Sequence, residues 1–102
     1  MKLQGITDEQ LQAILKCIQL HLPAVTIYAF GSRVNGKPRK YSDLDLALDM
    51  KRSINLFEIS KIKEAISETD LPISVDLIDY RSVSSEFKKI IDHGKIVLVK
   101  DK

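Results

Sequence analysis

The sequence predicts an α/β (α+β) fold, a small mixed β-sheet of about four strands with helices packed on it. Three observations carry that expectation. Segments with helical apolar periodicity alternate with short runs rich in β-branched residues, in the order α β (short α) β α β α β. Residues 43–49 alternate strictly between apolar and acidic or small side chains, as a strand with one acidic face does. The 102 residues match the size of one compact core, so a single domain over residues 1–102 is expected.

Thr7 and Gln10 have the form of a capping box, and Leu11, Ile14, Leu15, Ile18 and Leu22 recur on one helical face, predicting a helix over about residues 8–21. Pro23 ends it, and Val25 to Phe30 reads as a first strand that stops at Gly31. Arg33 to Ser42 is polar and basic, with Gly36 and Pro38, so it is a loop whose first residues can form a helical turn. Asp43 to Asp49 is the second strand, with Leu44, Leu46 and Leu48 on one side and Asp43, Asp45, Ala47 and Asp49 on the other. Ser53 is the expected cap of a helix whose stripe is Leu56, Ile59, Ile62 and Ile66. Pro72 separates that helix from a third strand, Ile73 to Asp79. Val83, Phe87, Ile90 and Ile91 suit a last helix ended by Gly94, and Ile96 to Val99 makes a fourth strand.

Composition narrows the class of function. With 44% hydrophobic and 29% charged residues the chain is neither disordered nor a coiled-coil rod. A net charge of +2 is too small to make direct nucleic-acid binding the expectation. The single cysteine, Cys17, excludes an internal disulfide, and apolar runs such as Ile96 to Val99 are far too short to span a bilayer. The first twenty residues alternate polar and apolar, unlike a signal peptide, so a cytoplasmic location without membrane contact is expected.

Asp43 and Asp45 lie two apart on a strand, which sends both carboxylates off one face with Cα atoms roughly 6 to 7 Å apart. Asp76 sits mid-strand among Ile73, Val75, Leu77 and Ile78, where a lone carboxylate is costly to bury. Three clustered carboxylates repel one another, and a hard divalent cation, Mg²⁺ or Mn²⁺, is the natural occupant of an all-oxygen set. His21 and His93 are too far apart in sequence to suggest zinc. Gly31-Ser32 stands where a strand ends and a helical turn begins. Glycine permits close backbone approach, and the following amides and the Ser32 hydroxyl can donate to phosphate. Arg33, Lys37, Arg39 and Lys40 follow within the ten residues before Asp43, with Arg33 the best placed to offset phosphate charge.

Gly31-Ser32, ten intervening residues, Asp43-Leu44-Asp45 and the later Asp76 closely resemble the nucleotidyltransferase superfamily related to DNA polymerase β. The segments Phe30-Gly31-Ser32-Arg33 and Ser42-Asp43-Leu44-Asp45-Leu46 look like those of the minimal nucleotidyltransferases, MNT, the antitoxins encoded beside HEPN-domain toxins. The likeness extends over most of the chain, including Ile91 to Val97. One departure is Asn35, where many relatives carry arginine before the glycine here numbered Gly36, and it bears only on an auxiliary phosphate contact.

The resemblance implies a polymerase β-like palm core and transfer of AMP from ATP to a tyrosine hydroxyl of a HEPN toxin, which is neutralised in a hetero-oligomer. It implies that Ser32 holds the triphosphate and Gly31 allows its close approach, that Asp43 and Asp45 bridge two Mg²⁺ ions, and that Asp76 ligates the ion serving the acceptor; Arg33 is expected to join the nucleotide site as the basic neighbour of Ser32. Two other functions fit the same motifs: an antitoxin that acts by occlusion alone, and a small-molecule nucleotidyltransferase of the aminoglycoside-modifying kind. A missing acceptor domain counts against the latter.

Elsewhere the bland reading leads. Asp49 and Asp79 read as solvated or turn residues, Lys88 and Lys89 as solvated, His93 as a helix-end residue, and Cys17 as no nucleophile. Phe57 has two readings: an exposed apolar contact for a partner, with Ile54 nearby, or a side chain tucked inward at a frayed helix start.

Overall fold

A computed structural model describes residues 3–36 and 43–101. Its elements are α1 (Asp8–His21), β1 (Thr26–Phe30), α2 (Ser32–Asn35), β2 (Leu44–Asp49), α3 (Leu56–Ser67), β3 (Val75–Asp79), α4 (Ser85–Gly94) and β4 (Ile96–Val99). This is the predicted order, with a one-turn helix after β1. The strands form one mixed sheet in the order β3-β2-β1-β4. β1 runs antiparallel to both β2 and β4, while β2 and β3 are parallel. The parallel pair needs a crossover, and α3 supplies it.

Strand alternation sorts the sheet into two unlike faces. On one, Ile27, Ala29, Leu44, Leu46, Leu48 and Leu77 join Leu11, Ile14, Leu15 and Ile18 of α1 and Ile59, Ile62 and Ile66 of α3 in the main core. Each fully buried aliphatic side chain in it contributes about 1.5 to 3 kcal/mol. The other face carries Tyr28, Phe30, Asp45, Ala47 and Asp76 by register. α4 covers part of this face: the Phe87 ring meets Phe30 edge-on, with centroids 5.9 Å apart. Ala47 and Ile91 are wholly buried yet lie outside the main core. Among the described residues no helix is long and apolar enough to cross a membrane.

Caps account for the helix starts. Thr7 and Gln10 close the predicted capping box on α1. For α3 the cap is Asn55, not Ser53: its side chain accepts from the Glu58 amide at 2.8 Å, and Glu58 accepts from the Asn55 amide at 3.2 Å. This later start changes what α3 buries. Leu56, expected in the apolar stripe, is 83% exposed, and Phe57 is 70% exposed, which settles the Phe57 alternatives in favour of the surface. Ile54, just before the cap, is buried.

Of the two readings of Asp79, the turn holds and the solvated one does not. Asp79 is buried at the end of β3, where its carboxylate accepts from the Ile54 amide at 3.0 Å, the Arg81 amide at 3.2 Å and the Ser82 hydroxyl at 2.5 Å. A buried carboxylate is tolerated when donors surround it, and here they tie the α3 entry to the β3 exit. Asp49 is half-buried rather than solvated and lies 3.5 Å from Arg81. Lys88 is half-buried with Nζ 5.6 Å from the Tyr80 ring centroid, so of the two α4 lysines only Lys89 is exposed. Cys17 is half-buried against the core.

Candidate active site

β1 ends where β2 and β3 begin, and the chemistry-bearing residues gather at that end of the sheet. Phe30, the last residue of β1, pairs with Asp45, and Asp45 pairs with Asp76 across the parallel strands. Adjacent strands lie about 4.8 Å apart, so the two carboxylates leave one face side by side. Asp43 stands just before β2 and is exposed. Asp45 is half-buried, and its carboxyl is pushed above the usual range by burial first, then by the charges of Asp76 and Asp43. Both other predicted carboxylates therefore act on Asp45.

Gly31 makes the turn out of β1 with φ +85°, a conformation that favours glycine. A side chain there would also collide with the Asp45 carboxylate. The turn thus packs directly against Asp45, and Ser32, half-buried, opens α2 immediately after it. Within α2 the Val34 amide donates to Gly31 O and the Gly36 amide to Ser32 O, both at 3.1 Å.

Arg33 is a correction. Read from sequence as a phosphate contact, it is only 3% exposed, and its Nη1 donates to the Gln4 carbonyl at 2.9 Å. The side chain is built into the fold instead of standing open at the strand end. Lys37, Arg39 and Lys40, the other expected phosphate cations, lie outside the described residues.

Asp76 differs from expectation in its surroundings. Its side chain is 49% exposed on an edge strand and lies 3.6 Å from Lys63 Nζ of α3. Sequence reasoning missed Lys63, because an exposed lysine on a helix gives no sign of the strand it will meet. It also missed a polar-aromatic cluster farther along the same face. There Tyr28 and Tyr80 meet edge-on with centroids 5.3 Å apart, and Lys95 Nζ sits 4.2 Å from the Tyr28 ring centroid. The Tyr80 hydroxyl donates to Asp92 at 2.8 Å, and Lys95 pairs with Asp92 at the same distance. This cluster docks α4 on the sheet.

The donor chemistry fits a divalent cation. The set is all carboxylate oxygen, and the mutual repulsion registered at Asp45 is what bound positive charge relieves. As placed, no three His, Cys, Asp or Glu side chains among the described residues converge tightly enough to hold a metal ion. Asp43 and Asp76, both substantially exposed, have rotamer freedom to turn toward Asp45.

One sheet corner thus holds the Gly31–Ser32 turn, Asp45 and Asp76. Residues 10–102 match the family described as Polymerase beta, Nucleotidyltransferase, and the chain belongs to that family. Within it, the chain is 42% identical over 93 residues to the Haemophilus influenzae (strain Rd) protein named "Probable protein adenylyltransferase MntA", a match covering 91% of this chain and 82% of that one. Two solved structures share the fold. One, a toxin-antitoxin with AMP-PNP, has a TM-score of 0.77 at 24% identity, over 89% of this chain and 73% of the other. The second, a tri-AMPylated Shewanella oneidensis HEPN toxin in complex with MNT antitoxin, has a TM-score of 0.71 at 24% identity, over 90% and 71%.

Proposed function

We propose that this chain is a protein adenylyltransferase that moves AMP from ATP to a hydroxyl, a tyrosine in the first instance, of a HEPN-type toxin, and so neutralises it. The observation that carries the reading is the packing of the Gly31 turn against Asp45, with Asp76 alongside. A turn able to take a triphosphate beside paired carboxylates supports that reading. The family membership and the name of the Haemophilus influenzae relative support the same activity.

In this reading residues 1–102 work as one catalytic domain, with Gly31 admitting the triphosphate and Ser32 donating its hydroxyl and amide to it. Asp43, Asp45 and Asp76 would hold two Mg²⁺ ions, with Mn²⁺ an alternative. Bound there, the ions supply charge neutralisation for an in-line displacement at phosphorus. The acceptor oxygen forms a bond to the α-phosphorus, the bond from that phosphorus to the bridging oxygen breaks, and pyrophosphate leaves. The hydroxyl proton passes to Asp76, the most open carboxylate of the strand pair, or through it to water.

The test is transfer of label. With the cognate toxin and Mg-ATP, label in the α position should appear on the toxin and label in the γ position should not. Transfer of the γ label would make the protein a kinase. Neutralisation with neither label transferred would leave occlusion as the mode of action.

A further inference from the structure

Four residues of α2 carry the phosphate turn, and a helix of one turn has little stability of its own. Something else must hold it. The segment of residues 3–6 meets α2 at Arg33 and is anchored by Leu3, 3% exposed in the main core, and by Ile6 packed against that core. Between these anchors Gln4 and Arg33 exchange a reciprocal pair of hydrogen bonds. The Gln4 amide donates to Arg33 O at 2.9 Å, and Arg33 Nη1 donates back to Gln4 O at 2.9 Å. Gly5 then turns with φ +77°, and a Cβ there would strike Arg33 Nη1. Backbone and side chain of one α2 residue are thereby clamped by the same strap.

We infer that the strap of residues 3–6 and Arg33 form a latch that presets the Gly31–Ser32 turn for its triphosphate, with Arg33 as a positioning residue. The inference rests on the nucleotide reading of that turn. Its physical content is a population effect. A turn that is competent only part of the time weakens apparent affinity by that fraction, without touching a single ligand contact. The latch keeps the turn in one arrangement, so the ordering cost is met on folding instead of on binding.

Gly5→Ala tests this, because Gly5 offers the site no side chain and lies in the strap; its φ of +77° also strains an alanine, so affinity is read at a temperature where the variant is folded. Mg-ATP affinity should fall about threefold to tenfold, while the transfer rate at saturating ATP stays within about twofold of the parent. Amide exchange at residues 33–36 should quicken while that of α3 does not. Arg33→Ala should weaken binding by itself, yet add little in the Gly5→Ala background, and Arg33→Lys should recover part of the loss by donating once to Gln4 O. Additive effects of Gly5→Ala and Arg33→Ala, or parental affinity in Gly5→Ala, would overturn the latch even with faster exchange at the turn. Unchanged exchange at residues 33–36, in a parent that binds Mg-ATP, would overturn it as well. A parent that binds no Mg-ATP would overturn the nucleotide reading and this inference together.

Discussion

Asp45 and Asp76 occupy the second position of adjacent parallel strands and face one another in direct register. Like charges so placed disfavour joint ionisation, and burial of Asp45 adds to the penalty.

The first prediction follows from that strain. Because the folded-state pKa of Asp45 lies above its unfolded value, its favourable contribution is full below the ordinary aspartate range and is lost as pH rises through the folded value. The ionised group is a liability, so above the folded value Asp45→Asn should melt at or above the parental temperature without ligand. That advantage should shrink on acidification below about pH 4, where the parental carboxyl is protonated in both states. With Mg-ATP at a hundred times its dissociation constant the parent should gain about 2.7 kcal/mol, and the variant far less. Thermal melts at two pH values, with and without Mg-ATP, check all three statements.

Gly31→Ala should fail for two separable reasons. The φ of +85° strains any residue with a Cβ, costing about 1 to 2 kcal/mol, and the added methyl meets the Asp45 carboxylate. Stability measured by denaturant should drop by at least that first amount. In the double variant with Asp45→Ala the collision is removed but the backbone strain is not, so the additional loss from Gly31→Ala should shrink without vanishing.

Asp79 is a structural carboxylate, and its removal should be felt in stability alone. Asp79→Ala leaves the Ile54 amide without its acceptor in a buried setting and frees the Arg81 amide and the Ser82 hydroxyl. A loss of about 1 to 3 kcal/mol in denaturant unfolding is expected. At a temperature where the variant is folded, its Mg-ATP affinity should match the parent, since Asp79 lies at the far end of β3 from Asp76.

What the sequence disclosed and what it hid divide along the range of the interactions. Periodicity and caps are local, so the order of elements, the Thr7–Gln10 box and the short turn after Gly31 were all legible. That Asp43 and Asp45 leave one face was legible because strand parity fixes it, whereas Asp76 was placed with them by the family resemblance, since its position beside Asp45 depends on the β2–β3 pairing. Contacts between elements were not legible. That Arg33 would meet Gln4, twenty-nine positions away, depends on where the strap runs, and nothing local encodes it. The same holds for Lys63 beside Asp76 and for Asp79 beside Ile54. Leu56 misled because its place in the stripe assumed a cap at Ser53. With Asn55 as the cap, Leu56 becomes the first residue of α3 and points to solvent.

The last prediction separates Asp76 from its neighbour Lys63. If Asp76 serves the acceptor and not the nucleotide, Asp76→Asn should slow AMP transfer by about a hundredfold or more, within the range typical of positioned acid-base groups, while Mg-ATP affinity changes much less. Lys63 stands 3.6 Å from that carboxylate with both side chains about half exposed, so the pair is a screened surface contact whose removal should cost little stability. Lys63→Met should therefore fold as the parent does and bind Mg-ATP normally. With the cation gone, the Asp76 carboxylate loses a competitor for its oxygens, so Mg²⁺ should reach half-maximal transfer at a lower concentration than in the parent. Titrating Mg²⁺ against the transfer rate in the parent and in both variants resolves the roles. A Lys63→Met curve superimposed on the parent would show that the ion pair is incidental to the site, and a tenfold loss of Mg-ATP affinity in Asp76→Asn would move that carboxylate from the acceptor to the nucleotide.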